Sequence, residues 1–232
     1  MNKTVVIHQP DFLPYLGFFH RFLHADLWVV FDNVQFLSGS KSWHNRDKIK
    51  TPNGAKWITV AVQKSKRDMK INEVLLSENA DWRGGNLNLI RENYRKALFY
   101  GEIFPHMESL YSCKCERMID FNLKSIEMLM DIFDIRIEKI LASTLNPVGK
   151  SNYLLVDILK KVEAATYLSG IGARDYYDPK PFEDAGIKVV WQEFKHPVYL
   201  QLHGEFMPYL SSVDLLFNCG IEKSREIIRS CQ

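Results

Sequence analysis

The chain lacks a strong charge of either sign: 30 lysines and arginines stand against 28 acidic residues, a net +2 over 232 residues. That balance supplies no electrostatic reason for a nucleic-acid or membrane surface as partner. The one local cationic excess, KSKRDMK at 64–70, reads as a solvated turn. No apolar run approaches transmembrane length, and the N-terminus enters a strand pattern without the basic region, apolar stretch and cleavage site of a signal peptide. The expectation is a cytoplasmic protein with no integral membrane segment.

Cysteine is scarce as well. The four residues Cys113, Cys115, Cys219 and Cys231 form no Cys-x-x-Cys and no zinc-type pairing of soft ligands, so they read as free thiols. His20 and His24 lie four apart on a predicted helix but outside an H-E-x-x-H pattern, and no metal or tightly bound cofactor is expected. NPVGKS at 146–151 ends like a phosphate-binding loop, yet Thr144 stands where its first glycine belongs. No G-x-S-x-G elbow is present, and no cysteine pairs convincingly with a histidine, which leaves covalent hydrolase chemistry without support. Repeats and low-complexity tracts are absent too.

What is present is ample apolar material, 46% of the chain, enough to bury a full core. Strands are predicted at 4–7, 27–32, 56–63, 137–142, 166–170 and 187–192. Helices are predicted at 14–24, with Pro14 in the first turn, and at 82–98, 116–133, 151–164 and 175–185. Leu87, Ile90, Tyr94 and Leu98 form one apolar stripe; Met118, Phe121, Ile126, Leu129 and Phe133 form another. The β-α-β-α-β order of the last third predicts right-handed crossovers and a parallel sheet covered on both faces. The expected fold is α/β, a Rossmann-like three-layer domain over 1–232 with a mostly parallel sheet and a central helical insertion at about 80–135.

Ligands of such sheets bind beyond the carboxyl ends of the strands. His8, Asp32, Ser169 and Gln192 all fall at or just past predicted strand ends. His8 and His196 are the candidate general bases, since an unperturbed imidazole titrates near neutrality, with a hydrogen-bonded structural role as the alternative for each. The Gly/Ser-rich stretch 31–50 has no helical or strand period and holds Asp32, Gln35, Asn45 and Arg46. Arg46 could clamp a phosphate or carboxylate, and Gln35 and Asn45 could read amide or hydroxyl edges; a surface loop with Asx turns explains the same residues. SGIGARDYY at 169–177 either cradles an anion or makes a tight strand-helix turn.

The runs HQPDFLPYLGFFHRFLHAD, VVFDNVQF, SWHNRDKIK, YLSGIGARDYY, WQEFKHPVYLQ and LSSVDLLFNCG, in that order from His8 to Gly220, resemble the WbqC-like protein family. The chain departs at Ser40 and Lys41, where a single basic residue is more usual before the tryptophan. The resemblance implies a transferase of bacterial surface-polysaccharide, O-antigen-like, biosynthesis, which passes glycine or another acyl group to an amino sugar. Its partners would be a nucleotide-activated or lipid-linked sugar and an activated acyl donor, with nucleic acid entering only as an aminoacyl-tRNA donor. His8 and Asp32 are the catalytic candidates, one or the other accepting the amine proton. Gln9, Gln35, Asn45, Arg46, Ser169, Gly170 and Gly172, together with Tyr177, Gln192, His196, Tyr199 and Gln201, are the implied substrate contacts. A fainter likeness of the opening to nucleotidylyltransferase-type domains leaves nucleotidyl transfer, or a non-catalytic binding role in glycan assembly, as alternatives.

Overall fold

The computed structural model describes residues 3–37, 39, 42–64, 66, 68–78 and 81–231. Ser40 and Lys41, and Ser65 and Arg67 of the cationic run, lie outside the described residues. Five parallel strands form the main sheet: β1 (Thr4–His8), β2 (Leu27–Val30), β5 (Glu138–Leu141), β6 (Thr166–Ser169) and β7 (Lys188–Trp191). Their order is β5-β2-β1-β6-β7, with β1 at the centre, in register Val5 to Leu27 on one side and Val5 to Tyr167 on the other.

The alternation of strand side chains explains the layers. Val5, Ile7, Leu27 and Val29 face one apolar cluster, which α5 (Ser151–Lys161) and α6 (Lys180–Asp184) close with Ile158, Leu159 and Phe182. Val6, Trp28 and Val30 face the opposite way. They meet α1 (Leu16–Phe22), α4 (Met118–Phe133) and α7 (Val213–Ser230) through Phe18, Phe19, Phe133 and Phe217. The result is the Rossmann-like three-layer α/β fold. Between β2 and β5 the chain inserts the hairpin of β3 (Arg46–Thr51) and β4 (Gly54–Thr59), then α2 (Trp82–Tyr94), α3 (Tyr100–Ser112) and α4. No described helix is long and apolar enough to cross a membrane.

Several expectations change. The stretch 31–50, read as aperiodic, ends in β3: Asp47 and Lys50, on opposite faces of the strand, are both buried, 3% and 2% exposed, and these buried charges disguise it as a polar loop. Lys50 is tolerated there because its ammonium donates to the Gly204 and Glu205 carbonyls, the first at 3.2 Å. Helix α2 stops at Tyr94, and Leu98, expected on its stripe, is 85% exposed. Helix α1 is shorter than 14–24: Tyr15 is its N-cap, and Pro14 lies before it. The expected helix 175–185 resolves into a 3-10 turn at Ile171–Tyr176 followed by the short α6. The periodicity reading does not reach α3, which carries Pro105 inside it, nor α7, which is broken at Gly220.

Candidate functional site at the sheet crossover

From β1 the chain builds the sheet in one direction through β2 and β5, then returns to the other side of β1 with β6 and β7. The two directions part between β1 and β6, and the carboxyl ends of these strands, His8 and Ser169, frame the switch point. A cleft of about 700 Å³ opens there. Its polar lining includes His8, Asp11, Arg21, Asp47 and Ser169, and aromatic rings of Tyr15, Trp43, Phe194 and Tyr209 wall it.

The loop after β1 is held from two sides. Asn122 of α4, fully buried, donates to the carbonyls of Pro10 and His44 at 2.7 and 2.6 Å. The Ser211 hydroxyl donates to the Leu13 carbonyl at 2.7 Å, and Leu13 itself adopts φ 42. A leucine in that left-handed region persists only where its surroundings over-determine the backbone. This tether fixes Asp11 against His8, with Nδ1 to Oδ2 at 3.8 Å.

His8 Nδ1 lies 2.8 Å from the Gln9 carbonyl, which can only accept, so Nδ1 carries the proton and Nε2 is the acceptor. Its ring meets the edge of Phe18 at 5.0 Å. Burial, aided by the Arg21 charge, pushes His8 down to about 3, which keeps the imidazole neutral at pH 7. Burial pushes the Asp11 carboxyl up to about 7 against the attraction of Arg21. Solvent still reaches 23% of the His8 side chain and 15% of Asp11, so both stay accessible from the cleft. Asp47 is held well above the usual carboxylate range, first by burial, although it accepts the Lys48 N–H at 2.6 Å. Arg21 is 5% exposed, and its Nε is buried without a hydrogen-bond partner.

The WbqC-like protein family matches residues 9–226, nearly the whole chain. The chain belongs to this family. One relative is the uncharacterized protein Rv1507c of Mycobacterium tuberculosis (strain ATCC 25618 / H37Rv), 31% identical over 236 residues that cover 99% of each chain. No solved structure matches.

Of the contacts that the WbqC resemblance implies, His8, Gln9, Ser169, Gly170, Gly172 and Gln192 line the cleft. Gln192 is anchored there by donating to the Gly17 carbonyl at 2.7 Å. The others do not line it. Asp32 accepts from Ser143 N at 2.8 Å, Ser143 Oγ at 2.6 Å and Asn72 Nδ2 at 3.1 Å, a clamp between β2 and the segments after β4 and β5. Gln35 forms an isolated antiparallel bridge with Lys70. Asn45 donates to the Val60 carbonyl at 3.0 Å. Arg46 donates to the Ser42 and Gly39 carbonyls and lies 4.0 Å above the Trp57 ring, so its fork is engaged by the chain itself. Tyr177 packs edge-on against Trp191 at 5.2 Å.

His196, Tyr199 and Gln201 stand behind the aromatic wall. His196 meets Tyr209 edge-on at 5.4 Å, and its Nδ1 donates to the Pro197 carbonyl at 2.9 Å. Tyr199 and Gln201 both donate to Asp214 Oδ2 at 2.8 Å, while Tyr94 donates to Oδ1 at 2.7 Å. These bonds tie the irregular 194–210 segment to α7.

Periodicity and motif reading miss Asp11, Arg21 and Asp47. A signal for Arg21 exists: α1, LGFFHRF, has no polar face, and all seven of its residues are buried. Among the described residues no group of three or more His, Cys, Asp or Glu side chains is placed to hold a metal ion.

Proposed function

We propose that this WbqC-like protein transfers an acyl group, glycine or a similar one, to the amino group of an activated sugar in surface-polysaccharide biosynthesis. The observation that carries the reading is the Asp11 carboxyl, unclamped in the crossover cleft 3.8 Å from His8 Nδ1; burial pushes this carboxyl up to about 7. A base poised near the working pH is what removal of a proton from an attacking amine requires. His8, held low at about 3, is a weaker base and suits an orienting role, with Nε2 as acceptor toward substrate.

In the proposed step the amine nitrogen attacks the carbonyl carbon of a thioester or ester donor. The N–C bond forms, the C–S or C–O bond breaks, the thiolate or alkoxide leaves with the electron pair, and the amine proton passes to Asp11. The aromatic walls supply flat surfaces for sugar or base. Asp32, engaged by three donors, has a scaffolding role in this reading.

The test incubates the protein with nucleotide-linked amino sugars and acyl donors and follows the acceptor's mass gain. Asp11→Asn should lower kcat by about 10²-fold or more with KM little changed. Turnover by Asp11→Asn at the wild-type rate sinks this assignment. Release of pyrophosphate without acyl transfer favours nucleotidyl transfer instead.

A further inference from the structure

A guanidinium as buried as Arg21 ordinarily rests on a carboxylate or a set of carbonyls. Here, among the described residues, no acidic oxygen lies within 4.0 Å of it and no hydrogen bond engages it. The Phe18 ring centre lies 5.9 Å from Cζ. Asp11 and Asp47 line the same cleft without pairing with it. The backbone at Gly170 passes so near that a Cβ there would sit 3.0 Å from Arg21 Nη1. Glycine therefore leaves clear the approach to the guanidinium that any side chain would narrow.

We infer that Arg21 is the anchor of an anion site in the crossover cleft, and that it takes the phosphate of a phosphate ester, the charged part of an activated sugar. Three observations support phosphate. The guanidinium fork can give two parallel hydrogen bonds to a tetrahedral oxyanion. The site lies at the switch point between β1 and β6, where α/β sheets bind phosphorylated ligands. The cleft's volume, about 700 Å³, admits a nucleotide-sized molecule whose flat groups can rest on Tyr15, Trp43 or Tyr209. Arg46, the residue that motif reading selects for this duty, is already bound to its own loop. The inference deepens the transferase reading by naming the charge its substrate carries, but phosphate binding stands or falls without any group transfer.

The experiment titrates the full chain with inorganic pyrophosphate at constant ionic strength, by thermal shift and by calorimetry, with acetate as a parallel arm. Wild type, Arg21→Met and Gly170→Ala are compared. Pyrophosphate should raise the wild-type Tm; Arg21→Met should bind it about tenfold more weakly or worse. Ligand-free Arg21→Met should melt at or above the wild-type temperature, because an unpaired buried charge has been replaced by an apolar chain of similar length. Gly170→Ala, whose backbone at φ −74 suits alanine, should keep its Tm and also bind more weakly. A wild type indifferent to pyrophosphate, or variants that both bind it as wild type does, overturns the site. An acetate shift equal to that of pyrophosphate and equally dependent on Arg21 overturns the phosphate assignment. Should Arg21→Met fail to fold, Gly170→Ala decides alone. Loss of turnover in Asp11→Asn with pyrophosphate binding intact separates the chemistry from the anion site.

Discussion

Asp11 and His8 lie 3.8 Å apart and make opposite demands on pH. Asp11 binds its proton more tightly in the fold, with pKa about 7 against 3.8, so the stability it adds is complete below pH 3.8 and is lost as pH rises to 7. His8 sits at about 3 against 6.5, so its contribution is present above pH 6.5 and is lost as pH falls toward 3. At about 1.4 kcal/mol per unit, each accounts for at most ~5 kcal/mol. Urea unfolding between pH 4 and pH 8 should find Asp11→Asn flattening the loss toward neutral pH and His8→Gln flattening the loss toward acid. Unaltered slopes in both variants would refute these placements. Asp32 belongs to another class: Asp32→Ala leaves three donors without their acceptor and should cost about 3 kcal/mol in the same assay. Asp32 and Asp11 look alike in the sequence, each an acid just past a strand. Only the donors that converge on Asp32 from 72 and 143 tell them apart, and no local pattern announces donors 40 and 111 residues away.

Among the elements, α7 shows how one glycine carries two constraints. Gly220 interrupts the helix at φ 74, and a Cβ there would lie 2.5 Å from the Phe99 ring. Both the left-handed backbone and the absence of space exclude side chains, so Gly220→Ala should destabilise by about 2–4 kcal/mol, read from the shift in denaturation midpoint at constant slope. A change below about 0.5 kcal/mol would show that Phe99 moves aside freely. The same break explains why helical periodicity does not announce α7, although its apolar residues Leu215, Leu216 and Phe217 are buried in the core. Strands β1 and β2 were legible because buried parallel strands are short apolar runs, free of the buried charges that disguise β3; β5 and β7, at the sheet's edges, open on exposed Glu138 and Lys188 and follow from the alternation of strands with helices.

For the molecule as a whole, the cleft joins the first strand, the loop after it, α1, the β3 hairpin and the segments after β6 and β7. A ligand that bridges them should protect all of these segments from amide exchange together. At a hundredfold excess over its Kd it should add near ~2.7 kcal/mol of stability. Protection confined to one segment would mean that the cleft is not the binding site. The sequence by itself determined the parallel sheet, the delivery of His8 and Ser169 to its carboxyl edge and membership of the WbqC-like family, because these rest on local apolar runs and on motif order. Only the tertiary structure decided which charged groups are free for chemistry. Arg46 donates from Nε and Nη2 to nearby carbonyls while Arg21 is buried with no partner, and Asp11, not Asp32, keeps an unclamped carboxyl in the cleft. Burial and hydrogen-bond satisfaction depend on which distant segments pack together, and that is a property of the closed fold.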